Sequence, residues 1–162
     1  MNNTCVASDA KTRVATVDDL DRVIELCVAH AAFEGSRYVP SGQRERLSRA
    51  ISGNAPRLTI FLAETENSIV GYASVALEYS TWTASEFLHM DCLYICENMR
   101  GTGLGRNLFE TVHQLAAKLG VPEIQWQTPD WNTAATGFYR SLGANGKNKT
   151  RFSFPVSPDQ QR

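Results

Sequence analysis

Apolar residues recur every three or four positions in four segments of the chain, which predicts four helices. Asp18 or Asp19 can cap the first helix, whose apolar stripe starts at Leu20. The third helix is ended by Gly120, because glycine favours the left-handed conformation that follows a helix. The other three predicted helices run from a cap at Ser41 to Gly53, over 103–119 and over 132–142.

Shorter apolar runs, some alternating with polar residues, predict six strands. Asn67 and Ser68 form the predicted hairpin turn between the second and third of them. Antiparallel hairpins come early in the chain and strand–helix–strand units come late, so the predicted class is α/β (α+β) with a mixed sheet. The strands are predicted at 13–16, 58–65, 69–79, 87–95, 122–128 and 151–156.

Length and composition predict one ordinary globular domain over 1–162, with a core over about 13–156 and a loose tail at 158–162. The net charge of −1 argues against general nucleic-acid binding. No apolar stretch approaches the roughly 20 residues that span a bilayer. Residues 1–11 lack the apolar centre of a signal peptide. A cytoplasmic protein without membrane or nucleic-acid partners is therefore expected.

Cysteines and histidines are scattered along the chain and show no metal-ligand spacing. A zinc site needs about four converging ligands, no paired CxxC motif is present, and His30, His89 and His113 are interpreted as isolated residues. Cys92 and Cys96 are interpreted as small buried apolar residues, which is the usual role of a free cysteine. No metal is predicted.

The segment with the clearest chemistry begins at Arg100 and carries three glycines before a helix. Glycines allow tight turns and close approach of a ligand, and the first amides of a helix attract anions. The pattern predicts a phosphate or pyrophosphate cradle, to which Arg100 and Arg106 add positive charge. A loop whose glycines serve only to turn the chain is equally compatible. A P-loop is excluded because Gly-Lys-Ser/Thr is absent, and a Rossmann loop normally follows the first strand.

Two motifs make the chain similar to the GNAT superfamily of acyl-CoA N-acetyltransferases. The family has Arg/Gln-x-x-Gly-x-Gly/Ala after an apolar strand, and later an Asn, Ala, Phe-Tyr and Gly-Ala series. Both occur here in order, and the similarity covers about 14–156. The matching residues are Leu93-Tyr94-Ile95 with Arg100-Gly101-Thr102-Gly103-Leu104-Gly105, and Asn132, Ala134-Ala135, Phe138-Tyr139 and Gly143-Ala144.

Within that superfamily the chain resembles the diamine (spermidine/spermine) and thialysine acetyltransferase branch. The resemblance lies in Tyr79-Ser80-Thr81-Trp82, in 90–95 and in 126–132. That branch usually has Leu-Glu-Asp where this chain has Met90-Asp91-Cys92. The branch is commonly dimeric, which implies a homodimer in which the apolar strand 152–156 takes part.

The resemblance implies a mixed, mostly antiparallel sheet that splays into a V at the cofactor site, flanked by about four helices. It also implies acetyl-CoA as cosubstrate. The backbone of Leu93-Tyr94-Ile95 would hold the pantetheine arm, and the loop from Gly101 to Arg106 the pyrophosphate. Asn132 and Ala135 would contact the cofactor, although Asn132 is an equally good helix cap.

The implied reaction is direct attack of a neutral primary amine on the thioester, with backbone amides stabilising the oxyanion. Tyr139 would protonate the leaving thiolate, and Asp91 would take the proton of the ammonium, directly or through water. Tyr139 as a core aromatic and Asp91 as a structural carboxylate are the alternatives.

Three further residues are candidates for contacting the small-molecule amine. Glu34 and Glu78 could attract a cation, and Trp82 could line the substrate groove from a hairpin. Solvated charges and a packed hairpin aromatic are the alternatives. A diamine, polyamine or lysine-like acceptor is expected. An aminoglycoside, an amino acid, a protein amine and a non-catalytic acyl-CoA-binding module remain open.

Overall fold

The computed structural model describes residues 10–156, so Cys5, the remaining polar N-terminal residues 1–9 and the predicted tail at 158–162 lie outside it. Within these residues the chain forms two compact units, one ending at Pro129 and the other beginning at Asp130. The first unit holds the sheet and three α-helices, and the second holds one α-helix.

The sheet of the first unit has five strands in the order β1-β2-β3-β4-β5. The first four pair antiparallel with their neighbours, and only β4 and β5 run parallel. A mixed, mostly antiparallel sheet is thereby confirmed. The strands are β1 (Lys11–Val14), β2 (Thr59–Glu64), β3 (Ile69–Ser80), β4 (Ser85–Ile95) and β5 (Ile124–Gln125).

Residues 10–156 contain four α-helices, at the predicted places. In the first unit they are α1, α2 and α3, and the second unit contains α4. Gly103 precedes α3 and Gly120 follows it, both in the left-handed conformation. The helices are α1 (Leu20–Phe33), α2 (Gln43–Ile51), α3 (Leu104–Leu119) and α4 (Thr133–Ser141).

The starts of the first two helices differ from prediction. Asp19 lies at the N-cap position of α1, as predicted, but its carboxylate accepts hydrogen bonds from the backbone N–H and the hydroxyl of Thr16, at 2.8 and 3.0 Å, and none from an N–H of the helix. Gly42, not Ser41, precedes α2, and the Ser41 hydroxyl accepts a bond from Arg46 instead. In both cases the side chain that was predicted to cap the helix is engaged by other groups and makes no cap hydrogen bond.

Two helices of the first unit, α1 and α3, pack against the sheet. On one face, α1 packs Val23 and Leu26 against Tyr72 of β3 and Tyr94 of β4. The apolar stripe of α3 is also buried, and α3 contacts β1, β2, β3 and β4. That stripe consists of Leu104, Leu108, Val112 and Ala116.

Two predicted strands are wrong or too long. The strand predicted at 122–128 is shorter in the structure and comprises only Ile124–Gln125, since only those residues pair with β4. The strand at 151–156 does not form, because the described residues give it no partner strand. Its apolar side chains Phe152, Phe154 and Val156 are 88%, 87% and 91% exposed, so alternation without a partner edge did not produce a strand. Among the helices of residues 10–156, none is long and apolar enough to cross a bilayer.

Candidate functional site

The sheet opens along β4. β3 pairs with β4 from Gly71 opposite Ile95 to Ser80 opposite Ser85, whereas β5 pairs only with Leu88 and His89. The edge of β4 beyond His89 is therefore left unpaired by β5, and we call the space beside it the β4–β5 gap. This opening corresponds to the predicted V.

Alternation along β4 identifies the backbone groups that face the gap. The N–H of Cys96 donates to the Val70 carbonyl, so this residue points its amide towards the β3 side. Neighbouring residues of a strand point their amides in opposite directions, and Leu93 and Ile95 therefore face the gap. The side chains of Tyr94 and Ile95 are only 8% and 7% exposed. Ile95 can thus offer a ligand its backbone but not its side chain, whereas the Tyr94 backbone faces β3 and not the gap.

A β-bulge places Asp91 next to this edge. Val75 of β3 lies opposite Met90, and Ser74 lies opposite Cys92, so Asp91 is the extra residue between them. Bulges redirect side chains and are frequent beside active sites. The Asp91 side chain is exposed, and its Oδ2 accepts a hydrogen bond from the Cys92 thiol at 3.6 Å.

The glycine loop leads directly into α3. Gly101 and Gly103 have φ angles of 76° and 91°, and a Cβ at either position would meet no protein atom within 4 Å. The loop is braced from inside by the Thr102 hydroxyl, which donates to the Met99 carbonyl at 2.7 Å. Residues from Leu104 onward form the first turn of α3, whose amides have no carbonyl partner within the helix. The arrangement leaves open space beside a positive helix end.

Arg100 ties this loop to its surroundings. Its Nε–H donates to the Ile95 carbonyl at 3.1 Å, and its guanidinium carbon lies 4.2 Å from the centre of the Phe33 ring. A planar guanidinium can stack and donate at the same time, which lysine cannot do. The side chain thereby connects the end of α1, the end of β4 and the start of the loop.

The two candidate glutamates lie in different places, each beside a histidine. Glu34 follows α1, with its Oε1 3.3 Å from Nε2 of His30. Glu78 of β3 lies with its Oε1 2.7 Å from Nδ1 of His89 on β4. Trp82 occupies the turn between β3 and β4 and is 96% exposed, so it is not a packed aromatic.

A polar cluster that the sequence did not predict lies between α1 and the sheet. The Tyr72 hydroxyl is 3.2 Å from Nδ1 of His30, and Cys27 and Cys92 pack against the core cluster that contains Tyr72. Burial raises the pKa of Tyr72 far above its usual range, and it raises the pKa of Cys92 to about 12, with the nearby Asp91 charge as a second cause. The two side chains are therefore protonated at neutral pH.

In the second unit, Asn132 caps α4, because its Oδ1 accepts the Ala135 N–H at 3.1 Å. Tyr139 lies seven residues later on the same helix, beside Phe138, with ring centres 5.1 Å apart. The cap role of Asn132 is observed. Cofactor contacts of Asn132, Ala135 and Tyr139 stay predictions.

Metal chemistry finds no support among residues 10–156, where no group of three or more His, Cys, Asp or Glu side chains is placed to hold an ion. Cys27, Cys92 and Cys96 are free thiols that are only partly exposed.

Comparison with known sequences identifies a family. Residues 24–144 match the family model described as "Acetyltransferase (GNAT) family". A thialysine N-epsilon-acetyltransferase of Caenorhabditis elegans is 30% identical over 127 residues, 78% of each chain. A thialysine N-epsilon-acetyltransferase of Mus musculus is 32% identical over 145 residues, 85% of each chain.

Comparison with solved structures supports the same architecture. An aminoglycoside acetyltransferase from an uncultured soil metagenomic sample, solved with sisomicin, superimposes with a TM-score of 0.79. The match covers 94% of this chain and 99% of that one at 20% sequence identity. At that identity the similarity concerns the fold alone.

Proposed function

This chain belongs to the GNAT family of acetyltransferases, and we propose that it transfers the acetyl group of acetyl-CoA to a primary amine of a small molecule. Membership of that family makes it an N-acetyltransferase. The donor and the acceptor are the parts that we propose.

The loop and the β4 edge fit an acyl-CoA donor. A Cβ at Gly101 or Gly103 would fill space that the protein leaves open, as a pyrophosphate cradle requires. Leu93 and Ile95 face the β4–β5 gap with backbone groups that suit the amides of a pantetheine arm. When bound, acetyl-CoA supplies the thioester carbonyl carbon that the amine attacks.

The bulge at Asp91 is the main support for the proposed reaction, because it sets an exposed carboxylate beside the unpaired edge of β4. An ammonium has no lone pair and must lose a proton before it attacks. A carboxylate at this position can attract the cationic acceptor and then take that proton. Tyr139 is the proposed donor of a proton to the leaving thiolate.

For the acceptor we propose a primary amine on a flexible aliphatic arm, as in a diamine, a polyamine or a lysine-like molecule. The worm and mouse relatives are described as acting on the ε-nitrogen of thialysine, which has such an arm. Glu78 and Asp91 lie on the same hairpin of β3 and β4, and two carboxylates suit a molecule with a second positive group. Glu34, in contrast, adjoins His30 at the end of α1.

The experiment is thiol release from acetyl-CoA with a panel of amines. Thialysine, a linear diamine, sisomicin and a peptide with a free N-terminus represent the four acceptor classes, and a reaction without amine corrects for hydrolysis. We expect the highest kcat/KM with thialysine or the diamine. Preference for sisomicin or the peptide would reject the proposed acceptor class, and release that no amine increases would reject the proposed reaction.

We also propose that the protein is a homodimer. The support is the exposed apolar series Phe152, Phe154 and Val156, since large exposed apolar groups favour association. Light scattering should give the mass of a dimer for the protein and of a monomer for the double variant Phe152→Ser, Phe154→Ser. A monomeric parent protein would contradict the proposal.

A further inference from the structure

One of the three histidines of the chain forms a carboxylate–imidazole pair on the hairpin of β3 and β4. Nδ1 of His89 lies 2.7 Å from Oε1 of Glu78. An ionised carboxylate can only accept a hydrogen bond, so Nδ1 carries the hydrogen and donates it to Glu78. In the neutral ring the other nitrogen, Nε2, then has a lone pair, and it makes no hydrogen bond with any of residues 10–156. His89 is therefore a proton acceptor that an acid orients.

The other two histidines lack this arrangement. Both ring nitrogens of His30 are engaged, Nδ1 by a tyrosine hydroxyl at 3.2 Å and Nε2 by a glutamate oxygen at 3.3 Å. Nδ1 of His113 lies 3.9 Å from Oε1 of Glu110, which is too far for a hydrogen bond. His89 is thus the histidine with one oriented nitrogen and one open nitrogen.

His89 lies where the β4–β5 gap begins. It is the last residue of β4 that pairs with β5, and Asp91 follows two residues later at the bulge. A strand rises about 3.3 Å per residue, so the backbones of the two residues are about 7 Å apart. The His89 side chain is 22% exposed and can be reached from solvent. The pair therefore lies beside the carboxylate at which we propose that the amine reacts.

The ring lies on the side of the sheet that α1 covers. His89 is opposite Ala76, and every second residue of β3 points to the same side, so Ala76 and Glu78 share the side of Tyr72. Glu123, which precedes β5, already accepts a hydrogen bond from a β5 side chain at 3.1 Å. Glu78 is the charged group that contacts the ring.

We propose that His89 is the base that takes the second proton of the acceptor nitrogen and that Glu78 positions it, an inference that rests on the function proposed above. The ammonium gives its first proton to Asp91 before it attacks. Once its lone pair has formed the C–N bond, the nitrogen still carries two hydrogens and a positive charge. It must lose one of these hydrogens to become an amide, and Nε2 of His89 takes that proton.

Protons and electrons balance over the whole reaction. The C–N bond forms from the lone pair of the amine, and the C–S bond breaks with its electron pair going to sulphur. The thiolate takes a proton from Tyr139. The nitrogen has given one proton to Asp91 and one to His89, of which one returns through water to the phenolate of Tyr139 and the other passes to solvent. Until then the imidazolium lies beside Glu78, whose negative charge stabilises it.

The first test is kinetic. His89→Asn keeps an N–H that can donate to Glu78 but offers no lone pair, so kcat should fall about 100-fold, at the low end of proton-transfer effects. His113→Asn makes the same change at a side chain that is 63% exposed and should keep the parental kcat. Glu78→Gln keeps an acceptor for the Nδ1 hydrogen and loses only the charge, so its kcat should fall less. An active parent protein whose His89→Asn variant keeps the parental kcat would overturn the proposal.

Added imidazole distinguishes a lost base from a distorted site. His89→Ala leaves a space where the side chain was partly exposed, so imidazole can enter and accept the proton. The kcat of this variant should rise in proportion to the concentration of neutral imidazole, whereas the kcat of the parent and of His113→Ala should not change. An active parent protein whose His89→Ala variant gains no rate from imidazole would also contradict the assignment.

A third test does not depend on turnover. Nitrogen NMR of the neutral His89 ring reports which nitrogen carries the hydrogen. We expect the hydrogen on Nδ1 in the parent and a smaller share of that tautomer in Glu78→Ala, because the acceptor is then gone. A parent ring with its hydrogen on Nε2 would have no lone pair for the substrate, and the proposal would be wrong. Thiol release that no amine increases would reject the proposed function alone, and the tautomer would still decide whether Nε2 is an open acceptor.

Discussion

Gly103 and Gly120 lie at opposite ends of α3 in the same left-handed backbone conformation, with φ angles of 91° and 71°. A Cβ at either position would meet no protein atom within 4 Å. The two sites therefore impose the same strain on a larger residue, although only Gly103 belongs to the loop that we assign to the donor.

Gly103→Val should abolish acetyl-CoA binding, because its side chain would fill the space that a pyrophosphate needs. The backbone strain should cost about 1–3 kcal/mol of unfolding free energy, and Gly120→Val should cost about the same. Calorimetric titration and urea unfolding of both variants separate the two effects. Parental affinity in folded Gly103→Val, or equal loss of affinity in Gly120→Val, would reject the cradle.

The ion pair between β1 and the turn before α1 should make stability depend on pH. Two nitrogens of Arg13 donate to the two oxygens of Asp19, at 2.7 and 2.8 Å. The Arg13 guanidinium, together with hydrogen bonds from Thr16, holds the pKa of Asp19 far below its usual range. The folded state therefore gains stability from the ionised carboxyl above its unfolded pKa of about 4 and loses it as the pH falls further.

Asp19→Asn should accordingly lower the unfolding free energy at pH 7 by about 1 kcal/mol, a figure reduced for the partial exposure of Arg13. The difference from the parent should narrow progressively below about pH 4. Urea unfolding at pH 7 and pH 3 measures it, with the exposed neighbour Asp18→Asn as control. A difference that stays constant between the two pH values would contradict the assigned ion pair.

The sequence predicted those elements whose signals are local. The stripe of α3 and the glycines at its two ends suffice to define that helix, because capping and periodicity act over a few residues. The bulge at Asp91 was not predictable, because it is defined by the pairing of β4 with β3. The strand predicted at 151–156 failed for the same reason, since alternation does not supply a partner.

The cluster around Tyr72 shows a different limit. Cys92 was interpreted as a small apolar residue, and His30 gave no signal as an isolated histidine. Both lie in the region of Tyr72 because α1 packs on the face that Tyr72 and Cys92 share with Tyr94. Such a meeting depends on helix placement across the sheet, which neither composition nor spacing encodes. The roles of the predicted cofactor residues stay predictions in the same way.

Asp91→Asn tests the proposed base. The variant keeps the size of the side chain but cannot take a proton at neutral pH. The rate should fall about 100-fold where the acceptor is an ammonium and recover in part at high pH, where the amine is neutral. The dependence of kcat on pH is the measurement. A profile that coincides with that of the parent would leave Asp91 as a structural carboxylate.

Tyr139→Phe tests the proposed acid, because phenylalanine keeps the ring that lies beside Phe138 and removes only the hydroxyl. We expect kcat to fall by about 100-fold, the lower end of general acid effects, since water can replace part of the donor. Acetyl-CoA affinity, measured by calorimetry, should change little. If kcat stays within about twofold of the parent, Tyr139 is a packing residue.

The proposed reaction is acetyl transfer from acetyl-CoA to the nitrogen of a primary amine, and analysis of the products distinguishes it from simple hydrolysis of acetyl-CoA. The protein is incubated with acetyl-CoA and thialysine, with ε-trimethylated thialysine as a matched acceptor that has no primary amine on the arm. Mass spectrometry should show a single acetyl group on the ε-nitrogen of thialysine, formed in step with free CoA, and no product acetylated on the arm of the trimethylated compound. Release of CoA at the same rate with both compounds, without an acetylated amine, would contradict acetyl transfer to a primary amine.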